Sequence, residues 1–584
     1  MRHNAIMNKV FSAMHVDTIK RRHGEREYES QLVRRSIREG KRVRKETVAN
    51  ISKLPPAAIA ALKRVLAGET LLPVGEAFRI ERSLPHGHVA CVLGTLRKLG
   101  LERILARERT RERDLAVAMI CQRLLRPGSK LSATRQFGLT TLGEELAVEG
   151  ASEAELLAAM DWLLARQGRI EQALARRYLE PGGFVLYDLS SSYLEGSHCP
   201  LAAFGYPRDG KRGKLQITYG LSCSPQGRPV AIEVFAGNVH DDATLPAAAE
   251  RLKRRFGIER VVFVGDRGMV KQAGVETLQR HGFDWITALT APQLKRLAHQ
   301  GELQLSLFDE RNLAEITSAD FPGERLLVCR NPQVAGERRQ RREELLQATE
   351  ALLQKVKASV DSPRGRLHGK PAGVIGERVG RDVNRYKVAK HFELRIEDGC
   401  FAYARRQEAI AAEAALDGIY VLRTSVADEI AAQAVVRAYK QLAQVEQAFR
   451  GLKDDDLIAL RPIFHRLEDR VRAHALLCLL AYAVRVEMEE RLAELLFVDE
   501  APLASADPVA PACPSPAAAA KKATKRTVSG LPVSSFRDLL DALATLTRNR
   551  IRLASHDISF DQLAEQTPLQ RRVFQLLGIS PSRL

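Results

Sequence analysis

The chain has 584 residues, too many for a single hydrophobic core, and this length predicts roughly two to four domains. Its 90 Lys and Arg residues outnumber 71 Asp and Glu residues, and the formal charge of +19 favours a polyanionic partner such as nucleic acid or an anionic membrane surface. No apolar stretch approaches the ~20 residues that a bilayer requires, and no secretion signal is recognisable. The eight cysteines are scattered without a CxxC pair, which favours reduced thiols over a zinc site. We therefore expect a cytoplasmic protein that is not bound to a membrane.

Residues 1–55 are predicted to form a basic, β-rich module. Two extended segments flank a turn at His23-Gly24, and eleven Lys and Arg residues stand against four Glu between Lys20 and Lys45. Such a surface suits the phosphate backbone of DNA. A solvated charged face on a small sheet explains the same pattern, and the sequence leaves both interpretations open.

Helical periodicity predicts a helical domain over residues 56–180, with a role in DNA binding or dimerisation. The period changes at Gly183. Strand-like runs lie at 184–187, 214–223, 229–235, 260–265 and 284–289, with helical patterns at 242–256 and 270–281. This order predicts the first part of an RNase H-like core, a mixed sheet with flanking helices, over residues 181–294.

The remaining chain divides into four predicted segments. A β-rich insertion over 295–428 interrupts the core, and the core's return helices occupy 429–500. The Ala/Pro/Lys-rich residues 501–530 are typical of a flexible linker, and 531–584 are expected to form a C-terminal helical tail. The fold class is thus α/β, with N-terminal β-rich and helical DNA-binding regions.

Three acidic residues form the candidate catalytic site. Asp188 and Asp266 each end an apolar, strand-like run, and Glu446 lies on a much later helical stretch. Carboxylate oxygens suit Mg²⁺, and a pair of ions about 3.5–4 Å apart activates the attacking oxygen and stabilises the leaving oxygen in phosphodiester chemistry. In a chain this basic, these residues predict metal-dependent DNA recombination.

The helical stretch around Glu446 carries further candidates. Tyr439, Glu446 and Lys453 are spaced seven apart and so return to nearly the same helical face, where Tyr and Lys would grip a phosphate backbone. A core-facing stripe explains the spacing equally well, and Val445 and Phe449 have the character of packing residues.

Other motifs carry less information. Lys211, Arg212 and Lys214 are predicted either to contact DNA near Asp188 or to form a solvated hairpin tip. Residues 190–192, three serines, suit strand-end capping or a turn better than a nucleophile. Asp241 and Asp242 begin a helical pattern, where N-capping explains them at least as well as metal binding.

Several of these segments resemble the conserved blocks of bacterial insertion-sequence DDE transposases. Residues 187–196, YDLSSSYLEG, are similar to the first-aspartate block, residues 264–269, VGDRGM, to the second, and residues 439–453 to the Tyr-x2-Arg-x3-Glu-x6-Lys signature. Shorter matching pieces are Cys199-Pro200-Leu201, Gly205-Tyr206-Pro207-Arg208-Asp209 and Gly237-Asn238. One departure is Leu442 at the signature's Arg position, so that Arg450 replaces this Arg as the phosphate contact or the contact is dispensable.

The resemblance implies a DNA transposase that cleaves and transfers strands at the terminal inverted repeats of an insertion sequence. It implies Asp188, Asp266 and Glu446 as ligands of two Mg²⁺ ions, with Mn²⁺ accepted. Tyr439, Arg450, Lys453, Lys211, Arg212, Lys214 and Arg267 are the expected DNA contacts. It also implies a homodimer or higher oligomer on DNA at the bacterial nucleoid. Two alternatives are an RNase H-like nuclease without strand transfer and a catalytically silent, DNA-binding remnant or regulator.

Overall fold

The chain divides into two compact units. The computed structural model describes residues 14–39, 42–69, 78–196, 198–259, 261–303, 308, 312–502, 507–510, 513–553 and 558–583. One unit comprises Met1–Ser83 with Arg548–Leu563, and the other comprises Leu84–Thr547 with Ala564–Leu584. Within the described ranges, no helix is both long enough and apolar enough to cross a membrane.

The first unit contains the basic N-terminal module. Strands β1 (Met14–His23), β2 (Arg26–Glu39) and β3 (Arg42–Asn50) form an antiparallel sheet, followed by helix α1 (Pro56–Leu66) and strand β4 (Phe78–Pro85). Three strands therefore stand where the sequence predicts two extended segments, and the turn at Gly24 is present with φ +67°. Strand β3 is exposed along its whole length, which leaves its basic side chains accessible. Residues 1–13 of the predicted module lie outside the described residues.

A helical bundle begins the second unit. Its helices are α2 (Gly87–Lys98), α3 (Leu101–Leu105), α4 (Arg111–Leu125), α5 (Lys130–Gln136), α6 (Leu142–Leu146), α7 (Glu153–Leu164) and α8 (Gln167–Tyr178). Local sequence sets their starts: the Thr110 hydroxyl caps α4, and Ser152 with Glu155 forms a capping box on α7. Because the apolar residues of α4 are buried on all sides, this helix lies inside the core.

The predicted RNase H-like core follows as alternating strands and helices. They are β5 (Phe184–Tyr193), β6 (Gln216–Cys223), β7 (Pro229–Ala236), α9 (Leu245–Glu250), β8 (Val262–Gly265), α10 (Gln272–His281) and β9 (Asp284–Ala288). Strand β5 pairs antiparallel with β6 and parallel with β8, and β8 pairs parallel with β9. The order β7-β6-β5-β8-β9 is that of an RNase H-like sheet, as the sequence predicts.

The insertion between the second aspartate and the glutamate extends this sheet. It contains α11 (Ala291–His299), β10 (Leu313–Ile316), β11 (Arg325–Arg330), α12 (Pro332–Asp361), α13 (Ala372–Val383), β12 (Phe392–Glu397), β13 (Cys400–Arg405), α14 (Gln407–Ala414) and β14 (Ile419–Thr424). Strands β14, β11 and β10 add to the sheet beyond β9, which makes eight strands in total. The expected strands are present, but the 30-residue α12 makes the segment mixed rather than purely β-rich.

The return helices differ from the single helical stretch predicted around Glu446. Helix α15 (Ala432–Lys440) ends before Gln441, α16 (Leu442–Leu452) begins after it, and α17 (Glu468–Arg491) runs through the middle of the core. Tyr439 and Glu446 therefore lie on two helices, and Lys453 lies beyond the end of the second, so the predicted common helical face is wrong.

The C-terminal segments are more structured than their composition indicates. Helix α18 (Pro516–Thr524) occupies part of the predicted linker, and its Lys521 side chain is buried. The region after it contains α19 (Phe536–Ala544), β15 (Thr547–Leu553), β16 (Ser559–Leu563) and α20 (Pro568–Leu577). Strands β15 and β16 form a sheet with β4, so the expected helical tail includes a β-hairpin.

Leu442 provides a test of how α16 packs. Its side chain is half-buried against the main hydrophobic core, as the apolar Val445 and Phe449 on the same helix predict. We expect Leu442→Arg to lower the free energy of unfolding by about 1–3 kcal/mol because a charge would replace core contact. Chemical denaturation measures the change, with exposed Ala443→Arg on the same helix as the control. A stable Leu442→Arg protein with increased strand transfer would place residue 442 against DNA instead.

Candidate functional site

Asp188 lies in the middle of the central strand rather than at the end of one. Strand β5 continues to Tyr193, and Asp188 pairs with Leu221 of β6. On its other side, β8 ends at Gly265 opposite Tyr187. Asp188 is therefore the first residue of β5 beyond the end of its parallel neighbour, where the sheet leaves space beside the strand. The sequence predicts Asp188 at a strand end, and this is wrong: it lies inside β5, one residue beyond the point where β8 ends.

Asp266 comes directly after β8 and so stands beside Asp188. Tyr187 and Gly265 are paired across the parallel strands, and each aspartate is the next residue on its chain. The Asp266 side chain is exposed, and its carboxylate accepts a hydrogen bond from the backbone N–H of Arg267 at 2.7 Å. Sheet register thus brings together two aspartates that are far apart in sequence.

Glu446 reaches the same place from a helix. Helix α16 packs against β5, and the exposed Glu446 side chain borders a cavity of about 680 Å³ that Asp188 also lines. Arg450 and Lys453 line this cavity too. The three predicted carboxylates consequently come from a strand, a strand end and a helix.

The pKa of Asp188 responds to its burial and to the charges of the other two carboxylates. Burial is the largest cause that raises this pKa from 3.8 to about 7, and the negative charges of Asp266 and Glu446 raise it further. A hydrogen bond from the backbone N–H of Leu189 and the charge of Arg208 act in the opposite direction. Tyr439 belongs to the same cluster: burial, followed by the charge of Asp266, raises the pKa of its hydroxyl. The site therefore concentrates negative charge that a cation would neutralise.

The donor set suits a hard divalent cation. Its side chains are carboxylates, and a cation between them would remove the mutual repulsion that raises the Asp188 pKa. Among the described residues, no three or more Asp, Glu, His or Cys side chains are grouped so that they could hold a metal ion. Mg²⁺ usually takes one or two protein carboxylates and completes its shell with waters and substrate phosphate oxygens. Asp188, Asp266 and Glu446 are the candidate ligands for such ions.

Lys453 has a structural role at this site. It is 9% exposed, and its ammonium group donates hydrogen bonds to the Ser190 hydroxyl at 2.7 Å and the Ser191 carbonyl at 2.5 Å. Burial is the main cause that lowers its pKa to about 8. The lysine thus ties the end of α16 to β5 two residues beyond Asp188. These serines lie within the strand, so the predicted strand-end cap or turn is wrong.

The other predicted DNA contacts are more accessible. Arg450 and Arg267 are exposed, and Arg450 makes no hydrogen bond or ion pair with the residues that the structure describes. Three more candidates lie in the connection between β5 and β6. Lys211 is 5.9 Å from the Tyr193 ring, Arg212 is exposed, and Lys214 forms an ion pair with Glu195 at 3.2 Å. The connection therefore places a basic patch next to the strand that carries Asp188.

Asp241 is a fourth carboxylate at the site that the sequence analysis does not assign to it. Its carboxylate forms an ion pair with Arg208, and it caps no helix through its side chain. A Cβ atom built on Gly268 would lie 3.6 Å from an Asp241 carboxylate oxygen and 3.9 Å from one of Asp266, so both acids face that glycine. N-capping is therefore not its role. The motif Gly237-Asn238, three residues earlier, is the sequence signal that could have identified it.

Two glycines explain how Arg208 reaches Asp241. A Cβ atom on Gly205 would overlap the Gly237 carbonyl group, so the two backbones touch. The Arg208 backbone N–H then donates to the Ser191 hydroxyl at 3.0 Å, which anchors this loop to β5. The motifs at 205–209 and 237–238, which are separate in sequence, thus contact each other beside the site.

Comparisons with known proteins identify two transposase family models that match this chain. Residues 200–484 match the model of the transposase DDE domain, and residues 16–72 match that of the IS1634 family transposase N-terminal domain. The first match includes Asp266 and Glu446 and begins after Asp188. A search of curated proteins finds no match. Among solved structures, the cryo-EM structure of a piggyBac transposase synaptic complex with hairpin DNA aligns with 78% of this chain and 76% of that chain, at 9% identity and a TM-score of 0.31. A likeness this weak carries no argument here.

The raised pKa of Asp188 gives a stability prediction. Its charged form is disfavoured by folding, so above the unfolded pKa near 3.8 the ionised group costs stability, and the cost is complete once the pH exceeds the folded value of about 7. We expect Asp188→Asn to raise the free energy of unfolding of the metal-free protein by roughly 1–3 kcal/mol at pH 8. The gain should vanish near pH 4. Denaturation in EDTA at both pH values measures it, and equal or lower stability of the variant at pH 8 would contradict the electrostatic account.

Proposed function

Because the chain belongs to the insertion-sequence transposases of the DDE class, whose members cut and join DNA with divalent metal ions, we propose that Asp188, Asp266 and Glu446 hold the catalytic ions. The observation that carries this proposal is their convergence from three elements, with the charges of Asp266 and Glu446 raising the pKa of Asp188. The proposed ions are two Mg²⁺, with Mn²⁺ accepted. When bound, such ions activate the attacking oxygen and stabilise the leaving oxygen.

The surrounding residues divide into anchors and DNA contacts. Lys453 holds β5 and α16 together, so it positions Asp188 and Glu446 relative to each other. The accessible guanidinium of Arg450 lines the same cavity and is free to bind a phosphate next to the scissile bond. It replaces the Arg that the signature would have at Leu442. Lys211, Arg212, Lys214 and Arg267 extend the basic surface, and Tyr439 packs beside the carboxylates.

The proposed substrates are the terminal inverted repeats of the insertion sequence and a target DNA. The enzyme would act as a homodimer or higher oligomer, because both ends of an element have to be held for strand transfer, and its place would be the bacterial nucleoid. A remnant that only binds DNA is disfavoured because all three carboxylates are present and converge. A nuclease without strand transfer has the same site, and inverted repeats flanking the coding DNA would separate these two functions.

The carboxylates are tested by removing their charges individually. We expect Asp188→Asn, Asp266→Asn and Glu446→Gln to bind terminal-repeat DNA normally and to cut it at least roughly 10²-fold more slowly, because each change removes a ligand of a hard cation while keeping the side-chain shape. The triple variant should lose little more than a single variant because the ligands act as a unit. Cleavage and binding are measured on the same labelled duplex in Mg²⁺.

Glu429→Gln is the matched control. Glu429 is exposed shortly before α15 and lines a different cavity, so its loss should leave the cleavage rate unchanged. Near-normal cleavage by Glu446→Gln, together with slow cleavage by Glu429→Gln, would identify Glu429 as the third metal ligand instead.

The basic N-terminal sheet is expected to contribute affinity that does not depend on DNA sequence. Each phosphate that a protein neutralises steepens the dependence of log affinity on log salt by roughly 0.9, so deleting residues 1–50 should weaken binding and flatten that slope. Fluorescence anisotropy across a salt series measures both effects. If the slope stays the same, the charges of β1–β3 serve something other than DNA binding.

A further inference from the structure

A second cavity, of about 510 Å³, lies within the second unit and is strongly cationic. Its wall is formed by the start of α5, the segment 459–467 and the first turns of α17. Five basic side chains and one carboxylate line it: Arg123, Lys130, Arg461, Arg466, Arg470 and Glu153. Glu153 is exposed, and two of the arginines have acidic partners, Arg461 with Asp455 at 3.7 Å and Arg470 with Asp161 at 2.6 Å, so the basic side chains still outnumber the carboxylates.

Lys130 is the least expected of these residues. It is only 5% exposed, and its ammonium group has no hydrogen bond or ion pair with any residue that the structure describes. Arg470 is also incompletely paired. One of its terminal nitrogens pairs with Asp161 at 2.6 Å, and the other is buried without a partner among the described residues. Burying unpaired cationic groups is costly, and an anion in the cavity would offset that cost. Burial, followed by the charge of Arg123, lowers the Lys130 pKa to about 7.

The remaining polar groups shape the cavity and do not neutralise it. Arg123 donates to the Ile458 carbonyl at 3.1 Å and the Gly128 carbonyl at 2.8 Å, which fixes the wall. His465 and His474 lie with their ring centres 5.3 Å apart, and burial with the charges of Lys130 and Arg123 lowers the pKa of both. They are therefore neutral imidazoles. Lys130 and Arg470 are donors in this cavity with unused hydrogen-bonding capacity.

The position of this cavity connects it to the catalytic site. Arg461 lines both the 510 Å³ cavity and the 680 Å³ cavity next to Asp188 and Glu446. The chain between Lys453 and Arg461 is fixed by a hydrogen bond from the Ile458 N–H to the Arg123 carbonyl at 2.7 Å. A DNA strand whose scissile phosphate lies at the carboxylates would have neighbouring phosphates within reach of Arg461 and the cavity behind it.

We propose that this cavity, here called the Lys130 pocket, binds a backbone phosphate of the DNA at a distance from the scissile bond. That the ligand is DNA rests on the proposed function. That the ligand is an anion rests on the unpaired cationic groups. Inorganic phosphate has the same tetrahedral, anionic chemistry, so the test separates the two sources. The Lys130 pocket would fix the register of the strand, since phosphate contacts position DNA without reading its sequence.

The test is Lys130→Met, with Lys355→Met on the exposed face of α12 as the control of equal charge change. Binding to a labelled terminal-repeat duplex is measured by anisotropy without divalent metal across a salt series. We expect Lys130→Met to weaken binding about fivefold and to reduce the salt slope by about 0.9, as loss of one phosphate contact requires. The DNA-free variant should melt at a higher temperature than the parent because an unpaired buried charge is gone. Lys355→Met should leave the affinity, the salt slope and the melting temperature unchanged.

The second part of the test uses inorganic phosphate. Phosphate should raise the melting temperature of the parent protein and should not raise that of Lys130→Met. If phosphate stabilises the parent while Lys130→Met binds DNA with unchanged affinity and slope, the pocket takes a free phosphate, and the DNA assignment is overturned. If Lys130→Met does not fold, Lys130→Gln is measured in the same way. A parent protein that fails to cut the duplex would instead overturn the proposed function, because binding and salt slope are measured independently of cleavage.

Discussion

The burial of Asp188 next to two further carboxylates is the constraint on which the site depends. Asp188 is close enough to Asp266 and Glu446 for their charges to raise its pKa, and a chain free to relax would separate these groups. Strand β5 cannot move away because it is paired on both sides, with β6 and with β8. The eight buried residues of β6 attach that side of the sheet to the core. Burial of apolar surface elsewhere thus keeps three carboxylates in an unfavourable arrangement that a metal ion would relieve.

Two cationic side chains lie around the carboxylates, but neither lies between them. Lys453 is used for two hydrogen bonds to β5, and Arg208 pairs with Asp241 while lowering the Asp188 pKa. Both cations lie beside the carboxylates, and in the part of the chain that the structure describes neither forms an ion pair with Asp188, Asp266 or Glu446. The division has a chemical consequence: hydrogen bonds and an ion pair hold the residues around the site, and the carboxylates are not engaged by these cations.

The sequence predicts those parts of the fold that short segments determine. Strands β5 to β9 are apolar runs bounded by Gly and Pro, and their order along the chain was enough to predict the sheet and to bring Asp188 and Asp266 together. The partner of Lys453 is 263 residues away in sequence, and Asp241 meets Arg208 only because two glycine loops touch. No local pattern encodes such contacts. The break at Gln441 was missed for another reason: one backbone turn interrupts the helix without a Pro or Gly to mark it.

The insertion explains how Glu446 can be so far from the aspartates in sequence and still reach them. Strand β14 pairs antiparallel with β9, so the insertion delivers the chain back to the edge of the five-stranded core. Helix α15 starts eight residues later and packs against β8 and β9, and α16 then crosses to β5. The sheet therefore continues through β14, β11 and β10, and the insertion is part of the sheet that holds the site. Because the path to Glu446 begins at β14, the pairing of β14 with β9 sets the position of the third carboxylate relative to the first two. The insertion consequently contributes to the position of the site residues through the geometry of the sheet.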